Sequence, residues 1–456
     1  MHENYDLEQL LELSNNKQYR QLKELLSEMN EVDIAEFMDE VEPEQLIIIF
    51  RLLPRELAAD VFTYLEDSED QEKLIGALSD QELRGILDEL YVDDAVDILE
   101  DMPANVVSRI LRNTSATTRS QINELLKFPS DSAGSIMTTE YVYLHPDATV
   151  EESFARIRKV GLDKETVYTC YVTVRRKLLG VVTVKRLLMS SYETPIRDIM
   201  ETNVLFVHTL DDKEDVAQMF SKYDLSALPV VDNDERLVGI ITFDDAMDVI
   251  EEETTEDFEK MAAILPSDKP YLKSGVFETW KSRIPWLMML MLSATFTGII
   301  ITSFESALAA CVVLTSFIPM LSGTGGNSGS QSSVAVIRAL SLDEVEFKDM
   351  LAVVWKEIRV AALCGVCLGA ANFVKMLLVD RMLMNNPEVT TAVAAVVSAT
   401  LVLTVLCAKI VGCTLPMVAE KVGIDPAVMA APFITTVVDA LSLLIYFAIA
   451  TRVLGI

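Results

Sequence analysis

"FITTVVDALSLLIYF", residues 433–447, is the stretch on which the reading of this chain turns. It lies in a run from Met429 to Ala450 whose single formal charge is Asp439, near the middle. About 20 consecutive apolar residues let one helix cross a bilayer. A carboxylate held halfway across costs ~2.5–3.5 kcal/mol on insertion scales. A charge kept at that cost either pairs with a basic side chain of another helix or lines an aqueous path. The basic residues near the apolar segments are Lys375 and Lys409. Both are expected toward helix ends, where long side chains can snorkel. No Lys or Arg is then left at mid-span to neutralise Asp439, and a cation pathway is the expectation.

Other apolar runs surround this one. Residues 284–303 and 306–337 carry no charge, 360–379 only Lys375, and 389–408 none, so five crossings are expected. Lys269, Lys273, Lys281 and Arg283 precede the first run, and Arg338, Lys348, Lys356 and Arg359 follow the second. The opposite loops have Lys375 and Arg381. Positive flanks mark the cytosolic side, which puts the N-terminal part inside and the C-terminus outside. The second run, "FIPMLSGTGGNSGSQSSVAVIRAL", makes a poor lipid-facing helix. Its Gly323, Gly325, Gly326 and Gly329 fit either unwound backbone buried in protein or close helix packing through small residues. Pro319, Pro416 and Pro432 add candidate breaks. Five helices are few to enclose a pore, so a homodimer with the path on its two-fold axis is expected.

The charge is lopsided. Of a net −32, all but −2 lies in residues 1–283, since residues 284–456 hold 9 basic and 11 acidic residues. Such a body repels nucleic acid and attracts cations. Five of the six cysteines lie in apolar segments, and Cys364-x-x-Cys367 has no partner pair, which points to helix packing rather than metal or redox chemistry. His2, His145 and His208 form no cluster, and no nucleophile–base set or phosphate loop occurs, so no enzyme is expected. The N-terminus lacks a basic-then-apolar signal and is expected to stay in the cytosol.

Residues 1–128 read as an acidic helical domain built from short amphipathic units such as "VDIAEFMDEV" and "VDDAVDILEDMP", a small superhelical stack. In it Asp93 and Asp97 share one helix face. Residues 129–253 alternate β and α, and they repeat after about 60 residues (129–192 and 193–253). Ile136-Met137 recurs as Ile199-Met200, and Gly180-Val181-Val182-Thr183 as Gly239-Ile240-Ile241-Thr242. An acidic stretch follows, "DDAMDVIEEETTEDFEKMAAI", dense in the oxygen ligands that hard divalent cations prefer. Residues 254–280 connect it to the apolar region at 281–456.

The repeats resemble a tandem pair of CBS modules, which often sense adenine nucleotides or ions. Where many such repeats place a ribose-binding acid after the last strand, the second has Asp245 and the first Arg186, so ATP is a possible ligand. As a whole the chain resembles the MgtE family of bacterial magnesium channels. The order of parts, "GTGGNSGSQS", "GIDPA" at 423–427 and "TTVVDALSLLIY" carry that resemblance. It implies a three-part fold: an all-α superhelical N-domain, an α/β tandem CBS pair and a polytopic domain of five transmembrane helices. It also implies a homodimer in the cell membrane that conducts Mg²⁺ and closes when cytosolic Mg²⁺ is high. By position, Asp439 is the implied selectivity carboxylate, with Asn327 beside it and Asp425 at the cytosolic entrance. The implied sensor comprises Asp60, Asp93 and Asp97 of the N-domain, then Glu214, Ser221, Asp224, Asp245, Asp248 and Glu253 of the second repeat. Glu256 and Asp257 begin a connecting helix, over 254–275, that closes the pore. The alternatives are an ion-coupled divalent-cation carrier and a CBS-based membrane signalling protein.

Overall fold

The computed structural model describes residues 7–65, 68–100, 102–267, 271–429 and 431–455; His2 and Lys269 lie outside them. The chain divides into two compact units, Met1–Glu251 and Glu252–Ile456.

The first unit begins with short helices, ten among the described residues, from Leu7–Asn15 to Ala116–Leu125. Their punctuation follows local chemistry. Pro54 and Pro103 stand at N-caps, and Ser79 forms a reciprocal capping box with Glu82. Helix α1 (Val92–Glu100) buries Val92, Ala95, Val96, Ile98 and Leu99 at helical spacing, and it also buries Asp93.

The repeats form two three-stranded sheets of identical order. In the first, β1 (Tyr141–Leu144) runs parallel to β2 (Thr166–Val174), which is antiparallel to β3 (Lys177–Thr183). In the second, β4 (Val207–His208), β5 (Ala227–Val231) and β6 (Leu237–Thr242) repeat that pattern. The duplicated motifs explain each other. Thr138 of the first repeat bridges Ile240 of β6, while Glu201 of the second bridges Val181 of β3. Each Ile-Met turn thus caps the other repeat's sheet. A Cβ on Gly239 would stand 2.7 Å from the Met137 sulfur, and one on Gly180 would stand 2.6 Å from the Glu201 carbonyl. The glycines are where these turns cross. Helix α2 (Lys213–Tyr223) is capped by Asp212 and ends at Asp224 with φ +52°.

Helix α3 (Phe243–Met261) starts directly after β6. The helix expected over 254–275 ends at Met261, because Ala263 takes φ +56° and Pro266 follows. The apolar region contains α4 (Val276–Ser303), α5 (Ile318–Ser341), α6 (Met350–Lys375), α7 (Thr391–Val422) and α8 (Ala431–Leu454). Four stretches among the described residues are long and apolar enough to cross a membrane: Val276–Ser303, Phe347–Leu383, Thr391–Val422 and Pro426–Leu454. Helix α5 has the length, with 24 residues, but its glycines and hydroxyls leave it less apolar.

That helix settles the two readings of the glycine run. It stays helical through Gly323–Gly329, and the chain is irregular earlier, where Val312–Phe317 is a 3-10 turn. The small residues serve close packing: a Cβ on Gly412 of α7 would fall 2.2 Å from the Gly329 carbonyl oxygen. Nor does Pro416 end α7, which continues to Val422.

Candidate ion sites

Asp439 sits on α8, half-buried, with the Ser322 hydroxyl of α5 as its polar side-chain neighbour. Among the described residues no Lys, Arg or His lies within ion-pair distance of it. Asn327, expected beside Asp439, is exposed on α5 in the single chain. Ser322 is the neighbour that the motif reading missed.

Lys409 departs from expectation. It is 5 % exposed rather than snorkelling. Helix α7 is longer than one crossing needs, so Lys409 stands 13 residues, about 20 Å, before its end. Its Nζ donates to Ser332 Oγ of α5 at 3.2 Å and lies 3.6 Å from Glu357 Oε2 of α6. Ser332 also donates to Glu357. One buried, charge-neutral triad therefore ties three helices together. Glu357 precedes the apolar run by sequence, so nothing in the spacing pointed to the pairing.

Asp425 lies just before α8. Lys260 of α3 donates to it at 2.6 Å and to Glu256, one turn back, at 2.7 Å. Burial works to lower the Lys260 pKa, but hydrogen bonds to Asp425 and Glu256 outweigh it and hold the ammonium well above its usual range. Asp257 is within 3.4 Å of the Ser341 hydroxyl. Burial, then the Asp425 charge, pushes its pKa up.

In the first unit, carboxylates converge on one another. Oxygens of Asp93 (α1), Glu140 (before β1) and Glu165 (before β2) lie within 4.8 Å of one another. Asp93 is 7 % exposed, and its Oδ1 has no hydrogen-bond partner. Burial raises its pKa strongly, with Asp245, Asp94 and Glu165 adding repulsion. Burial and the charge of Asp245 take Glu165 to about 8 and Asp94 to about 6. Asp245 also reaches about 6 through burial, against the lowering effect of hydrogen bonds from Thr242. Oxygen donors at this spacing suit a divalent ion, with metal–oxygen distances of about 2.0–2.6 Å. Glu140, Glu165 and Asp94 were not singled out from sequence, since 25 residues separate the two glutamates and only the fold joins them.

The remaining sequence-derived acids are more open. Asp60, Asp97, Asp224 and Asp248 are exposed, as is Ser221, while Glu214 and Glu253 are half-buried. Asp60 is raised by partial burial and by Glu31, Glu56 and Glu89. Glu214 accepts from Gln218 Nε2 at 3.3 Å.

A helical domain, a duplicated α/β pair and long apolar helices with buried carboxylates are the parts of a multidomain membrane transport protein. Family models agree part by part. The MgtE divalent cation transporter model matches residues 318–449, the MgtE intracellular N domain 29–131, and the CBS domain 133–193 and 196–252. The magnesium transporter MgtE of Thermus thermophilus is 36 % identical over 95 % of this chain and 95 % of its own length. That of Bacillus subtilis is 32 % identical over 92 % and 93 %. A crystal structure of the cytosolic domain of the Mg²⁺ channel MgtE with ATP covers 54 % of this chain and 100 % of its own, at 35 % identity and TM-score 0.51. The chain belongs to the MgtE family of divalent cation transporters, and it is not an enzyme.

Proposed function

We propose that this protein is a Mg²⁺-selective channel for magnesium uptake, closed by cytosolic Mg²⁺. The observation that carries the reading is Asp439, a carboxylate in an apolar helix with a serine hydroxyl and, among the described residues, no resident cation beside it. A passing metal ion supplies the missing charge. Two chains would form a homodimer in the cell membrane, each with α4 to α8 as five crossings, the N-terminal region in the cytosol and the C-terminus outside. Two copies of Asp439 then face one path, with Asn327 lining it and Asp425 at its entrance. Mg²⁺ sheds water reluctantly, so recognition of a largely hydrated ion is expected.

Closing follows from the acids. In low Mg²⁺ the carboxylates of Asp60, Asp93, Asp97, Glu214, Asp224, Asp245, Asp248 and Glu253 repel one another, within and between subunits. Bound Mg²⁺, with the Ser221 carbonyl as a further ligand, favours the compact arrangement, and Glu256 and Asp257 bring the end of α3 to the pore. This is a population shift toward the state with better-formed sites. ATP is a candidate ligand of the CBS pair through Asp245, since a similar cytosolic domain has been solved with it.

The test is Mg²⁺ influx into liposomes carrying the purified protein, with single-channel recording. Asp439→Ala is expected to lower flux at least about 100-fold, by analogy with the ~10²–10³ lost when an enzyme loses one preorganised group that stabilises charge. Retained flux in that variant would refute the pathway. Saturating, gradient-coupled flux without unitary currents would make the protein a carrier.

A further inference from the structure

The end of α3 holds three carboxylates around one ammonium. Glu256, Asp257 and Asp425 supply three negative charges, and among the described residues Lys260 answers them, at 2.6 Å from Asp425 and 2.7 Å from Glu256. The next residue, Met261, packs against Ile337 of α5 and Ala427. The ammonium is thus the electrostatic part of a contact between α3 and the helices around the pore. The Asp93 cluster differs: the charges acting most strongly on it are other carboxylates.

We propose that Lys260 is a built-in competitor for divalent cations at Glu256 and Asp425, so that it sets the Mg²⁺ concentration at which the end of α3 responds. The inference rests on the closing role given to these carboxylates above. A side chain tethered one turn from Glu256 acts at high effective concentration. A divalent ion must break two ion pairs to enter, and it meets one negative charge fewer than the bare carboxylates would present. Lys260 is 22 % exposed, so its flexible stem has a way out to water when displaced.

The experiment uses the full-length protein in liposomes, titrated with MgCl₂. It reads chymotrypsin cleavage at Phe258, Tyr271 and Leu272, which does not depend on a lysine, alongside Mg²⁺ flux. Lys260→Gln is expected to move both midpoints roughly 3- to 10-fold toward lower Mg²⁺, the yield of two partly exposed ion pairs. Lys260→Arg keeps the charge and should stay within about twofold of the parent. An unmoved midpoint in Lys260→Gln overturns the inference, as does a move to higher Mg²⁺, which would make the lysine a strut holding α3 in place. An equal shift in Lys260→Arg also overturns it. If the parent protein shows no Mg²⁺-dependent protection, the closing reading fails and takes this inference with it; a responsive parent with an unmoved variant defeats the inference alone.

Discussion

The two units handle buried carboxylates in opposite ways. In the apolar region Glu357 has Lys409 and Ser332, and Asp425 has Lys260. In the first unit Asp93, Glu140 and Glu165 crowd together, and the charges acting most strongly on Asp93 and Glu165 are those of other carboxylates, Asp245 and Asp94. A region shut off from water must balance its charges internally, because an unpaired ion there is costly. A region bathed in water can leave the balance to a soluble cation, and its stability then depends on that cation. Asp439 is the exception within the apolar unit, where it behaves like a member of the other.

Three measurements sharpen or break this contrast. The largest effect is expected from Lys409→Met, which strands Glu357 in the interior. It should cost about 3–5 kcal/mol, the usual penalty for breaking a buried pair, seen as a lower melting temperature of the purified protein. Adding Glu357→Leu should recover much of that loss, because a buried ion pair replaced by apolar groups is often neutral. A fully stable single variant would mean that the triad is not what balances the charge.

Next comes overpacking. Gly412→Ala drives a methyl into the Gly329 carbonyl, 2.2 Å away, and should cost about 1–3 kcal/mol. Gly298→Ala has nothing within 4 Å and should be neutral. Equal effects at the two sites would undo the packing account of the glycine run.

The smallest effect concerns pH. Glu165 is raised from 4.5 to about 8, so its penalty is absent below pH 4.5 and grows as pH rises toward 8. Discounted for partial exposure, the loss is about 2 kcal/mol of first-unit stability by pH 8.5 in chelator. Pulse proteolysis should detect it, and saturating Mg²⁺ or Glu165→Gln should remove most of it. A flat profile in chelator would mean that the cluster is better solvated than its burial implies.

Periodicity and duplication made much of this fold readable. The repeated Ile-Met and Gly-Val-Val-Thr motifs are legible because each performs the same job on the opposite sheet. Asp439 stood out because one charge in an apolar run is conspicuous by itself. Glu140, Glu165 and the Lys409–Glu357 pairing left no such trace, because they are joined by tertiary contacts across 25 or more residues. The Glu256–Lys260 spacing was visible in the helix, but Asp425, which gives it meaning, comes from a distant loop. Whether α5 unwinds could not be decided from composition, since glycines permit both outcomes and the facing surfaces of α7 and α8 choose between them.

The crossed turns of the duplicated sheets bear on how this region is inherited. Each half contributes the plug that fills the notch on its sibling, Met137 over Gly239 and Met200 beside Gly180. A gene fragment encoding one half would leave its sheet uncapped and its own methionine in water. Such a piece would gain from pairing with a second copy of itself, each turn then capping the other's sheet.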